Sequence, residues 1–166
     1  MVKIVYKEGC KGLNRLDCIE GISIDLFTGK RALIYPKYSE QIMLSEDKIE
    51  QCELRSRTEI EALKLIENRF ATDALAAFSP AAEFVRQFGF NLPTLVAALE
   101  IQFQKERIDA LAETIDGADL LKNFTNRVWS CSRFDRYHWW IAVGGDGFAS
   151  FDDMCDKWLA VPTTIY

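Results

Sequence analysis

The chain lacks any apolar run near the roughly 20 residues that a bilayer crossing requires. It also lacks a basic excess. With 20 Lys and Arg against 25 Asp and Glu, its net charge is −5, and its isoelectric point is about 5.0. That argues against nucleic acid, whose phosphates call for a basic face. Lys3, Lys7, Lys11 and Arg15 read as a solvated face. No internal repeat, low-complexity stretch or linker breaks the sequence. Its 166 residues fit a single domain, long enough to support a core without metals or disulfides.

The five cysteines are Cys10, Cys18, Cys52, Cys131 and Cys155. An odd number without regular spacing reads neither as a disulfide framework nor as a zinc site. All five are expected as free thiols. The opening "MVKIVYKEGC" has no apolar core of a signal peptide. The expectation is therefore a reducing, cytoplasmic location, with a secreted or surface location as the alternative should a leader precede Met1.

What is present divides the chain into strands, then helices, then strands, an α+β arrangement. "VKIVY" has strand composition. In "EGISIDLFTGKRALIY", Ile22, Ile24 and Leu26 alternate with Ser23 and Asp25, the period of a half-buried strand. Gly29 in "FTGK" permits a turn, and Pro36 closes the partner strand, giving a hairpin within residues 20–36. Residues 37–57 read equally as a short strand with a loop or as a broken helix. The helical part covers 58–117, opened by the T-x-x-E spacing of Thr58 and Glu61. A short helix follows, with Ser79 as N-cap, Pro80 at N1 and Gly89 as stop. Thr94 caps the next helix, which either runs on or breaks at the polar "QKER" before its stop at Gly117. Residues 126–162 read as antiparallel strands: "NRVWSCS", "YHWWIAV", "FASF" and "KWLAV".

"WSCSRFDRYHWWIAVGGDG" carries three of the four tryptophans and the only histidine. Any Ser-His-Asp or Cys-His arrangement has to use His138, with Ser130, Cys131 and Asp135 nearby. No G-x-S-x-G turn accompanies it, and a hydrogen-bonded strand histidine is the commoner case. "GGDG" lacks the spacings of phosphate loops and reads as a turn. Asp146, Asp152, Asp153 and Asp156 lack the D-x-D-x-D-G pattern of a calcium loop and read as solvated loop residues. No catalytic residue, metal ligand or cofactor is assigned.

Trp129, Trp140 and Trp158 fall on strands that a meander brings together. Side chains alternate along a strand, so Trp139 and Trp140 cannot share a face. With Trp140 inward on the helices, Trp139 needs another cover or stays exposed. Beside it, the "SRFDRY" loop offers oriented polar groups and residue types enriched at binding hot spots. The candidate binding surface is Arg133, Asp135, Arg136, Tyr137 and Trp139, facing a partner protein or glycan. The competing reading, which sequence favours, closes a second small core over Trp139.

The order of these motifs resembles a bacterial lectin-like domain family of unknown function related to the Fibrobacter major paralogous domain. "GFNLPT" is similar to that family's G-W-x-L-P-[ST], "VWSCS" to its W-S-S-T, "WW" with Gly147 to A-W…G, and "DKWLAVP" to V-R-x-V. The resemblance spans residues 20–162. It implies a C-type-lectin-like fold: a helix pair on small antiparallel sheets, with Trp140 inward and the termini held together. Phe90, Ala97, Cys131 and Ala160 depart from the family pattern. The E-P-N and W-N-D calcium-sugar motifs are absent, leaving calcium-mediated sugar binding without support. The implied function is a non-enzymatic binding or interaction module. The alternatives are a structural component of a phage-type or surface assembly, and an oxidoreductase related to formylglycine-generating enzymes through Cys131 and Cys155.

Overall fold

The computed structural model describes residues 1–43, 80–124, 126–133, 138–143, 148–153 and 157–166, with 40–43, 132–133, 138–143, 148, 151–153 and 157 described as backbone only. The chain is α+β. The strands are β1 (Val2–Tyr6), β2 (Ile19–Asp25), β3 (Arg31–Ile34), β4 (Ser39–Met43), β5 (Arg127–Arg133), β6 (His138–Val143), β7 (Phe148–Asp153), β8 (Lys157–Ala160) and β9 (Thr163–Ile165). The described helices are α1 (Pro80–Arg86), α2 (Leu95–Phe103) and α3 (Lys105–Ala112).

One sheet runs β1-β2-β3-β9 and the other β4-β8-β5-β6-β7. The expected hairpin forms, with Ile22 opposite Ile34 and Ile24 opposite Ala32. Its turn places Gly29 at φ +79°, a conformation that glycine adopts without a Cβ penalty. The alternation of apolar and polar residues in β2 predicts one wet face, but Gly21 and Ser23 are buried as well. Ser23 Oγ meets the Tyr166 hydroxyl at 2.9 Å, which satisfies a polar group withdrawn from water.

The chain changes sheet twice, side by side. It leaves β3 for β4 through Tyr35–Tyr38 and returns from β8 to β9 through Pro162, and the Tyr35 amide donates to the Pro162 carbonyl at 3.0 Å. Segment 91–94 laces the two sheets together. Asn91 exchanges two backbone bonds with Thr163, at 2.9 and 2.8 Å, and the Pro93 carbonyl accepts from the Cys131 amide at 2.8 Å. Thr94 Oγ1 then accepts from the Ala97 amide at 3.2 Å, the N-cap that its position suggests. The backbone role of "NLPT" thus extends beyond starting a helix.

α2 packs on β5, β6 and β7, α3 on β1 and β2, and α1 on β4 and β8. The main core joins Ile19, Ile22, Ile24 and Ile34 of the first sheet to Ala98 and Ile101 of α2, Ile108 of α3, and Val128 and Leu159 of the second sheet. Trp129 is fully buried too, although it stands outside that cluster. Consecutive strand residues face opposite ways. β5 is therefore covered on both faces.

Three sequence expectations change. The 126–162 strands form a meander only over β5-β6-β7; β8, which carries Trp158, pairs with β5 in parallel through Val128 and Leu159. The reason is that β8 also pairs antiparallel with β4, which inserts the 39–43 strand at the edge. Pro162 does not end the strands, because β9 follows and completes the first sheet. Asp152 and Asp153 belong to β7 rather than to a loop. Of the two courses left open for the helix capped by Thr94, the break at "QKER" is the one found, at Gln104, where φ is −101° and ψ is 12°. The helix expected from Thr58, residues 44–57, Ser79 and "GGDG" lie outside the described residues.

Candidate functional site

The backbone brings part of the predicted surface together. Arg133 on β5 stands opposite Trp139 on β6, and Trp139 stands opposite Asp152 on β7. A bulge in β5 between Trp129 and Arg133 produces this register, and bulges re-aim a strand locally. Asp135, Arg136 and Tyr137 lie outside the described residues, as does the side chain of Trp140. His138 is opposite Asp153, and no described pairing joins it to Ser130 or Cys131. Two positions along β6 from Trp139, Ile141 is opposite the enclosed Trp129.

A second site, which the sequence does not announce, lies where α2 breaks into α3. An open cleft of about 750 Å³ runs between this junction and the side chains of Lys122 and Asn126. Its walls are tied by the chain's own polar groups. Gln102 Nε2 donates to the Asn126 carbonyl at 2.8 Å, and Lys105 Nζ donates to Asn126 Oδ1 at 2.8 Å. Asp109, only 5% exposed, accepts from the Leu121 and Lys122 amides at 2.7 and 2.9 Å. The Lys122 ammonium bonds Glu113, and that bond and charge push its pKa up.

At the rim, Phe103 and Phe27 meet edge to face at a centroid distance of 6.0 Å. They are 60% and 75% exposed. The Phe27 backbone is anchored from beneath. Glu100, 4% exposed, accepts from the Phe27 amide at 3.2 Å and from Gln104 Nε2 at 2.9 Å. The same Gln104 nitrogen donates to the Asp25 carbonyl at 3.0 Å. The hairpin tip is thereby bolted to the end of α2. In sequence, Phe27 reads as a turn residue and Phe103 as part of the helix's apolar face. Only the break at Gln104, foreshadowed by the polar "QKER", hints otherwise.

Among the described residues, no group of three or more His, Cys, Asp or Glu side chains is placed to hold a metal. No described helix is long and apolar enough to cross a membrane. Cys10, Cys18 and Cys131 are free thiols; Cys52 and Cys155 lie outside the described residues. Burial pushes the Cys131 thiol up to about 12. A thiol held so high is not a nucleophile at neutral pH. In the folded protein Cys131 is expected to resist iodoacetamide and to react on denaturation; rapid native alkylation contradicts the burial. Its linkage sign is also fixed. Between the ordinary thiol value of 9.0 and about 12, the folded state keeps a proton that the unfolded state loses. This group's contribution to stability therefore falls as pH rises through that window.

Searches of protein-family models, curated proteins and solved structures return no match to this chain.

Proposed function

We propose that the chain is a non-enzymatic binding module of C-type-lectin-like fold, and that Phe27, Phe103 and the adjoining cleft hold a glycan. The carrying observation is the exposed aromatic pair, with the Phe27 backbone tied to α2 by buried Glu100. Large rings left in water are unfavourable, and fixing them in advance lowers the ordering cost of binding. The C–H faces of a sugar ring stack on such rings. Its hydroxyls find amides and a lysine along Gln102, Lys105 and Asn126. The fold reading draws support from the helices packed on two small sheets, and from β1 and β9 sharing one of them.

The oxidoreductase alternative is weakened by Cys131, whose buried thiol is poorly suited to reaction. The Arg133–Trp139 row remains a second candidate contact, though the enclosure of Trp129 on the neighbouring strand favours a covered face there.

The test is a glycan array probed with the wild-type chain and with Phe103→Ala. The expected result is selective glycan binding, weakened about tenfold or more in the variant, which corresponds to ~1.4 kcal/mol. Its melting temperature should stay close to wild type, because the ring is mostly in water. Binding that ignores this substitution relocates the site, and an array without binders overturns the glycan reading in favour of a protein partner.

A further inference from the structure

We propose that Cys10 and Cys18 form a dithiol modification site, which closes to an intrachain disulfide by exchange with a small-molecule disulfide. The backbone sets the pair. β1 and β2 run antiparallel as far as Tyr6 opposite Ile19, and the Lys7 amide extends the ladder to the Cys18 carbonyl at 3.0 Å. A turn then doubles back, with the Cys10 amide donating to the Lys7 carbonyl at 3.1 Å. This turns Cys10 back toward the strand end where Cys18 sits, close enough for the Cys10 side chain to be among the groups that raise the Cys18 pKa. The turn segment is fastened at its far side, where the Asn14 carbonyl accepts from the Asp116 amide at 2.8 Å and the Leu16 amide donates to the Asp116 carbonyl at 3.0 Å.

The two thiols differ in access. Cys10 is half-buried, whereas Cys18 is buried in the 3-10 turn Leu16–Cys18. Burial, followed by contact with Cys10, raises the pKa of the Cys18 thiol. This assigns the order of events. Cys10 loses its proton to solvent, and its thiolate attacks one sulfur of the incoming disulfide, expelling the first thiolate and leaving a mixed disulfide. Cys18 then loses its proton and attacks the Cys10 sulfur, expelling the second thiolate. One external disulfide is reduced to two thiols, and the Cys10–Cys18 bond forms. Around Cys10 the chain can accommodate this. Gly9 and Gly12 have φ of +76° and +85°, with open space at each.

The site is independent of the glycan reading, since the cleft lies at the α2–α3 junction and the thiols at the β1–β2 connection. The probe is oxidised glutathione added to the folded full chain. The chain is then denatured, alkylated with N-ethylmaleimide and peptide-mapped by mass spectrometry. The expected product is a linked Cys10–Cys18 peptide lacking two hydrogens, with Cys131 alkylated. Cys10→Ser should abolish the link, and Cys18→Ser should leave glutathione on Cys10. A wild-type map with both cysteines alkylated, or with a lasting glutathione adduct on Cys10, overturns the proposal. That decisive map needs no variant.

Discussion

Trp129→Ala is expected to lower the free energy of unfolding by about 3–5 kcal/mol. That is a large part of the ~5–15 kcal/mol typical of a domain. Trp129 is 0% exposed and is the largest fully buried side chain described. It lies on β5, the middle strand of β4-β8-β5-β6-β7, so neighbours on both sides resist collapse into the space left behind. Backbone bonds across 91–94 hold β5 further, through Cys131 and Pro93. Urea denaturation followed by circular dichroism measures the loss. An unchanged m-value shows that stability, not compactness, has changed. A loss under about 1 kcal/mol would fit a partly exposed indole and contradict the enclosure. Trp129→Phe, which keeps most of the buried apolar area, should cost clearly less.

Asp109→Ala should be nearly as damaging, at about 2–4 kcal/mol, because it removes two charge-assisted bonds and leaves their donors without acceptors. The carboxylate accepts from Leu121 and Lys122, the first two residues of the 3-10 turn Leu121–Asn123. Without it, the turn that leads to Asn126 loosens. Lys105 and Gln102 then lose the partner that organises the cleft wall. Faster hydrogen exchange at the Leu121 and Lys122 amides should accompany the loss of stability. Asp109→Asn keeps one acceptor oxygen and should fall between Ala and wild type. An Ala variant with wild-type stability and unchanged exchange at those amides would show that the buried carboxylate is dispensable.

Local patterns are legible in the sequence. The alternation of Ile22, Ile24 and Leu26 marks β2, Gly29 marks its turn, and Thr94 marks the start of α2. Each signal depends on residues within a few positions of one another. The partner of β8 is not of that kind. Val128 and Leu159 pair across the second sheet, and nothing in "KWLAV" distinguishes a parallel neighbour from an antiparallel one. β9 is hidden for a related reason: Pro162 reads as a terminator, whereas its carbonyl serves the crossing at Tyr35.

The candidate sites show the same limit. The Arg133–Trp139 juxtaposition was legible because a hairpin joins them, and the bulge supplied the register. Phe27 and Phe103 come from distant parts of the chain and meet only through Glu100 and Gln104. Cys10 and Cys18 are close in sequence, yet the spacing alone does not pair them. The turn at Lys7–Cys10 brings them to the same strand end.

The order β1-β2-β3-β9 also has a consequence for the birth of the protein. The hairpin of β2 and β3 can close as soon as it leaves the ribosome, but Ala32 and Ile34 must wait for Ile165 and Thr163. Until then the edge of β3 is an unpaired template for other chains. Contacts this distant in sequence slow the search for the native state. Synthesis at ~5–20 residues per second leaves that edge uncovered for seconds. In that interval Lys30 and Arg31, at the start of β3, place charge beside the open edge, the kind of guard that discourages intermolecular strand pairing.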